Sequence, residues 1–436
     1  MHWNIRIGLL LGLLCLGTSQ SNDEPRSDKT DIADAINEFG YKLTRKIMEQ
    51  DKKGNIITSP TGIAGLLAMT LLGSVGGTYD EIADTLGFSQ DILKNRKNHE
   101  AFGQLLEEFN NNGTSTKTLY ADAIFVDENT HLRDVYRSYL KRVYHGEALS
   151  TNFQDAVQAK EQINNWVKEH TNGQIPEFLM NLLPIDTRLV LLSALYFSGQ
   201  WAEPFFPSGT RKMDFKTPSG NVLVDLMLHA GQFQYIYSKP NEIQILKLPY
   251  NDSVTNMYIL KPRFPNKINL SQTMENLSYR KIDELINTMN KTNCVIRFPK
   301  MELKSSVNLR SPLKALGMKS IFTSGLSNVA LMINDKAKSD NSSEEEILAE
   351  ISNEESEQRG LREMIDRLPN PGVHVDSVLH DVKISINEYG TEAVAATAGV
   401  LARTAEQFYV DSPFYFFIRN EKTKLVTFSA VVYNPL

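Results

Sequence analysis

Cysteine is nearly absent. The 436-residue chain has two, Cys15 and Cys294. Cys15 lies in an apolar N-terminal run that reads as removable, which leaves Cys294 with no intramolecular partner. Disulfides are therefore excluded as the source of stability. A core must supply it, and 41% hydrophobic residues in a chain of this length are enough to build one. Long apolar runs are scarce as well. Residues 7–16, with Arg6 before them and Gly17-Thr18-Ser19 after, have the length and flanks of a secretory signal spanning 1–19. That run is too short to cross a bilayer and no later one reaches the needed length, so a membrane partner is not expected. Neither sign of charge is in marked excess: 46 − 52 = −6, which argues against a nucleic-acid partner.

Catalytic signatures are missing too. There is no Gly-x-Ser-x-Gly elbow, no phosphate-binding Gly-x4-Gly-Lys-Ser/Thr and no His-Glu-x-x-His. No enzyme activity and no cofactor is expected. His374, Asp376 and His380 share an alternating stretch that reads as surface and satisfied polar positions, so no metal is expected there. Cys294 opens the strand-like Cys-Val-Ile-Arg-Phe and reads as a buried thiol. The six Asn-x-Ser/Thr sites, Asn112, Asn251, Asn269, Asn276, Asn290 and Asn341, are compatible with secretion, though an Asn-rich chain acquires some by chance.

What is present is mixed secondary structure. Residues 30–50 carry apolar residues at helical spacing (Ile32, Ile36, Phe39, Leu43, Ile47). A short strand at 55–58 runs into Ser59-Pro60, a helix cap followed by a first-turn proline, and the helix 62–72 is apolar on nearly all sides. Residues 119–126 alternate as a strand, 135–144 read as a helix, and 189–199 form a continuously apolar strand that must be covered on both faces. Strands around 248–250 and 257–260 flank a turn at Asn251-Asp252. Residues 334–371 hold 11 Asp/Glu against 5 Lys/Arg and end in Leu-Pro-Asn-Pro-Gly. This acidic segment reads as a solvated surface insertion with one short amphipathic helix, or as an acidic docking site.

The most unusual stretch is 388–404, Glu-Tyr-Gly-Thr-Glu-Ala-Val-Ala-Ala-Thr-Ala-Gly-Val-Leu-Ala-Arg-Thr. It follows the alternating strand Val382-Lys383-Ile384-Ser385-Ile386. Its residues are too small to anchor a core, and neither helix nor strand is strongly encoded. Two readings stand: a flexible Ala-rich connection, or a segment that can leave solvent and join a sheet without steric cost.

Residues 387–397, Asn-Glu-Tyr-Gly-Thr-Glu-Ala-Val-Ala-Ala-Thr, resemble the hinge of the serpins, protease inhibitors that work by loop insertion. The ending agrees, from Asp411-Ser412-Pro413-Phe414 through Val426-Thr427-Phe428 to Asn434-Pro435-Leu436. Intermediate segments match as well: 79–88, Ile163-Asn164-Asn165-Trp166-Val167, 189–199 with Trp201 and Pro204-Phe205, Phe298-Pro299-Lys300-Met301 and 316–322. Ser193 stands where the family usually has Asn. The resemblance covers about residues 30–436. It implies one α+β domain of the serpin fold, with mixed sheets, a helical cluster and an exposed reactive-centre loop.

That resemblance also implies residue roles. Glu388, Gly390, Thr391, Glu392, Ala393, Val394, Ala395, Ala396 and Thr397 form the hinge, from which Tyr389 and Val394 depart. Ser59, Asn164 and His380 form a buried polar cluster where the sheet opens, and Trp201 stands at the sheet top. The cut bond is Arg403–Thr404, with Thr404–Ala405 and Leu401–Ala402 as alternatives. Arg403 is the only basic residue between Gly390 and Pro413, so the implied partner is a trypsin-like serine protease held in a covalent complex. The expectation is thus a secreted, extracellular, monomeric suicide inhibitor. The alternative is a non-inhibitory carrier or binding protein. A heparin-type polyanion is not an expected partner, because Lys94, Arg96 and Lys97 read as a solvated turn before a helix that carries Glu107 and Glu108.

Overall fold

The continuous and the alternating apolar runs become two sheets. The computed structural model describes residues 28–51, 54–109, 113, 115–334, 361–390 and 405–436. The leader 1–19, the glycosylation candidates Asn112 and Asn341, residues 335–360 and the loop 391–404, with Thr391 to Thr397, Arg403 and Thr404, lie outside the described residues.

Five strands make the smaller sheet: β2 (Thr116–Asp127), β4 (Glu147–Thr151), β5 (Leu189–Gly199), β11 (Met301–Asn308) and β13 (Ser377–Ile386), in the order β11-β13-β5-β2-β4. Nine strands make the larger one: β1 (Ile56–Thr58), β6 (Phe206–Thr217), β7 (Gly220–Ser238), β8 (Ile243–Pro249), β9 (Thr255–Pro262), β10 (Asn290–Pro299), β14 (Glu406–Tyr409), β15 (Phe414–Asn420) and β16 (Val426–Val432). A short pair joins β3 (His131–Leu132) to β12 (Ile333–Asn334).

The apolar residues of 189–199 need cover on both sides, and both sides have it. On one face, Leu189, Leu191 and Leu195 join the main core beneath α2 (Pro60–Leu72). On the other, Val190, Leu192 and Ala194 pack against Ile163 and Val167 of α6 (Ala156–His170). Helix α2 is buried along nearly its whole length, as its all-round apolar character requires, and Ser59 caps it by accepting from the Gly62 amide at 3.1 Å. Helix α1 (Asp28–Gln50) covers the same core through Ile32, Ile36, Phe39, Leu43 and Ile47. No helix among the described residues is long and apolar enough to cross a membrane.

Two expectations need correction. Lys94, Arg96 and Lys97 are not a turn: helix α4 spans Ile92–Phe109 and carries them in its first two turns. The C-terminal end of the acidic segment is not solvated. A short helix, Leu361–Asp366, docks on α3 (Gly76–Leu86), with Ile365 and Leu368 buried in a satellite core against Val75, Ala330 and Leu331. Arg362 fixes it there, bonding both Asp80 carboxylate oxygens at 2.9 and 3.1 Å and lying over the Tyr79 ring. The amphipathic spacing of Met364, Ile365 and Leu368 foretold that helix; the opposing Asp80 was not foreseen.

Candidate functional site: hinge and central seam

At the centre of the smaller sheet, β5 and β13 pair in parallel, from Ser377 opposite Val190 to Ile384 opposite Phe197. Beyond Ile384 the chain turns sharply. Asn387 and Gly390 form an antiparallel bridge, and Gly390 forms a second with Gln200, just past the end of β5. Gly390 has φ +100°, and a Cβ there would strike the Gly199 carbonyl, so only glycine fits. By Gly390 the chain already points back along the seam.

The residues before the turn are held tightly. Trp201 Nε1 donates to the Asn387 carbonyl at 3.0 Å, the Trp201 amide to the Tyr389 carbonyl at 3.1 Å, and the Phe205 amide to the Glu388 carbonyl at 2.7 Å. Trp201 is itself buried and stacks on Tyr250 with centroids 4.5 Å apart. The Glu388 carboxylate accepts from Thr210 Oγ1 at 2.8 Å and pairs with Lys300 at 3.1 Å. Burial alone raises a carboxyl pKa, but these bonds win and hold Glu388 below its ordinary value.

Halfway down the seam lies a row of buried polar groups. Strand register places Asp122 opposite Ser193, and Ser193 opposite His380. All three face α2, where Gly62 and Gly65 leave room: a Cβ on either would come within 3.0 Å of Ser193 Oγ or 3.1 Å of Asp122 Oδ2. The Ser59 amide donates to His380 Nε2 at 2.9 Å, which places the imidazole proton on Nδ1. Ser59 Oγ donates to the Thr427 carbonyl at 2.9 Å. Among the described residues His380 Nδ1, Ser193 Oγ and both Asp122 oxygens form no hydrogen bond of full geometry, although Ser193 is near enough to the Asp122 carboxyl to temper the effect of its burial. Burial pushes His380 down to about 3, so its imidazole is neutral at pH 7, and burial also holds the Asp122 carboxyl well above its usual range.

Ser59 and His380 are thus brought together, but Asn164 is not. It sits on α6, across the sheet, where it accepts from the Phe178 and Leu179 amides at 3.0 and 2.7 Å and holds the segment after the helix. Its place in the row is taken by Asp122 and Ser193. The available signal was a charged residue at an inward position of an otherwise apolar strand, Ala121-Asp122-Ala123. On the α6 face a further carboxyl, Asp381, is buried with both oxygens unpartnered, and burial pushes it up to about 6.

His374 Nε2 lies 3.4 Å from Asp376 Oδ1, whereas His380 is engaged by Ser59. Among the described residues no group of three metal-ligating side chains forms. Cys294 is buried and its thiol pushed up to about 12 by desolvation, in line with a structural role. Asn251, Asn269, Asn276 and Asn290 are exposed.

A family profile described as serpin (serine protease inhibitor) matches residues 34–435. The chain is a serpin. Plasminogen activator inhibitor 1 of Neovison vison is 31% identical over 93% of this chain and 94% of its own. Human serpin B8 is 30% identical over 93% of this chain and 100% of its own. The leukocyte elastase inhibitor of Xenopus laevis is 31% identical over 91% and 97%. Among solved structures, human thyroxine-binding globulin with thyroxine superposes with a TM-score of 0.79 at 20% identity, covering 94% of this serpin and 100% of that chain. Native protease nexin-1 with heparin superposes with a TM-score of 0.74 at 25% identity, covering 94% and 100%. The α+β serpin fold expected from the sequence is the fold observed, and serpins are protease inhibitors rather than enzymes.

Proposed function

We propose that this serpin inhibits a trypsin-like serine protease by drawing its cleaved loop into the seam between β5 and β13. The protease serine attacks the Arg403 carbonyl, the Thr404 amine departs, and the acyl-enzyme forms. The freed segment then continues the turn that Gly390 has begun. Because β5 and β13 are parallel, a strand folding back between them is antiparallel to both and replaces one parallel pairing with two antiparallel ones. About thirteen residues beyond Gly390 extend roughly 43 Å, longer than the roughly 36 Å of β5, so Arg403 would carry the protease past the far end of the sheet.

The observation that carries this reading is the register at Gly390. Its two bridges, to Gln200 and to Asn387, can be extended independently down β5 and β13. Extended so, both would bring Thr397 between Ser193 and His380, which already oppose each other in the closed sheet. A threonine hydroxyl would enter the row of unpartnered polar groups, the chemistry that row lacks. The same register would turn Thr391, Ala393 and Ala395 toward the core. Glu392 and Val394 would face outward, Val394 beside Tyr196 and Lys383, which are half-buried. Val394 is then no obstacle to insertion. The N-terminal run and the exposed sequons support secretion.

Incubation with a panel of trypsin-like proteases, followed by denaturing electrophoresis, tests this. A complex that survives SDS and a cut after Arg403 are expected. Thr391→Arg, which would bury a cation in the sheet, should leave cleavage intact and abolish the complex. Cleavage of the wild-type protein without a complex would transfer the assignment to a carrier or binding role.

A further inference from the structure

A cavity of about 650 Å³ opens between the C-terminal half of α1, the turn at 216–218, residues 265–275 and the entry to β15 at Ser412 and Pro413. It shares no residue with the hinge or the seam, so its role is independent of the inhibitory reading. Its walls are largely apolar: Met48, Leu270, Met274 and Tyr433 are all buried. Exposed polar side chains also line it, Asn266, Gln272 and Glu275 among them, and two buried polar atoms interrupt the apolar wall. Arg45 Nε and Ser412 Oγ are both buried and both lack a hydrogen-bond partner among the described residues. The acid one turn along the helix, Glu49, is engaged by Lys46 at 2.8 Å. Lys216 adds a second cation at the rim. A cavity with an apolar wall, a buried unpaired guanidinium N–H and an unpaired hydroxyl suits an apolar body with one anionic head.

We propose that this cavity is a binding site for a small amphipathic anion, a ring-bearing apolar molecule whose carboxylate or sulfonate takes up Arg45 and Ser412. The test uses two fluorescent probes on the full-length protein: 8-anilinonaphthalene-1-sulfonate and its uncharged relative N-phenyl-1-naphthylamine. The sulfonate should bind saturably at one site, at least tenfold more tightly than the amine. Arg45→Gln should weaken the sulfonate about tenfold and leave the amine unchanged, and Ser412→Ala should weaken it a few-fold. Pro218→Trp, on the exposed turn at the mouth, should weaken both probes without touching the core, so it serves if Arg45→Gln fails to fold. Equal affinity for the two probes overturns the proposal, as does sulfonate binding that neither Arg45→Gln nor Pro218→Trp alters.

Discussion

Two buried polar clusters in this serpin are built on opposite plans. Around Arg419, near the C-terminal end of β15, every strong group is satisfied. The guanidinium donates to Asp283 at 2.5 Å, to both Glu421 oxygens at 2.8 and 3.1 Å and to Tyr279 at 3.2 Å, and it lies over the Tyr258 ring. Tyr258 and Lys424 complete the Glu421 carboxylate, and although burial opposes it, the Arg419 bonds hold Glu421 down at about 2. At the seam, by contrast, Asp122, Ser193, His380 and Asp381 leave buried atoms without a hydrogen bond of full geometry among the described residues. The first cluster joins α8 (Tyr279–Asn287) to its sheet with charge-assisted bonds; the second runs across β2, β5 and β13, over the seam that the proposed mechanism opens. A satisfied network resists separation, whereas an under-satisfied one has bonds still to gain when a new strand arrives.

The largest effect that would sharpen this contrast is thermal. Cutting the loop at Arg403 should raise the melting temperature by tens of degrees, because filling the seam adds main-chain pairing and burial, while a nick in an ordinary loop only loosens a fold. Calorimetry on protein whose cut site is confirmed by mass spectrometry checks it, and an unchanged or lower transition would count against insertion.

Second in size is loss of the clamp. Arg419→Met strands the Asp283 and Glu421 carboxylates in a mostly buried site and should destabilise by about 3–5 kcal/mol in denaturant unfolding. The loss should be similar in cut and uncut protein, since the clamp lies away from the seam.

Third is a pH effect of opposite sign. Asp381, pushed up to about 6, keeps its proton longer folded than unfolded. Its neutral form is accommodated below about pH 4, and the fold loses stability as pH rises through 6, on the order of 2–3 kcal/mol in all. Asp381→Asn should therefore stabilise the uncut protein by a few degrees at pH 7.5 and hardly at all at pH 4. A gain that is the same at both pH values would assign the effect to packing rather than charge.

The smallest effect concerns the acidic segment. Deleting 339–360 should leave stability and inhibition nearly unchanged. Extending the deletion through 368 removes Arg362, Ile365 and Leu368 from α3 and should cost a few kcal/mol. If the two deletions behave alike, the docked helix contributes nothing.

Much of this was legible from sequence. Periodicity located α1, α2 and β5 because burial on one or both faces writes a repeat into the chain. The Ser59 cap was legible because its chemistry is local. The partners of His380 were not, since Asp122, Ser193 and Ser59 meet only through register between strands remote in sequence. Asn164 failed for a related reason: an asparagine on a helix faces one side of a sheet or the other, and only the packing of α6 decides which. Arg362 and Asp80, 282 residues apart, carry no sequence mark of their pairing.

The bonds from Trp201, Phe205, Thr210 and Lys300 all grip residues that precede Gly390. On the insertion reading, none has to break for the loop to move. The hinge is then a fixed fulcrum, and the outcome of each encounter is a race between two clocks, the hydrolysis of the acyl bond and the parting of β5 from β13. On that reading, what decides how many molecules of inhibitor are spent per protease trapped is the speed of the seam, not the release of the hinge.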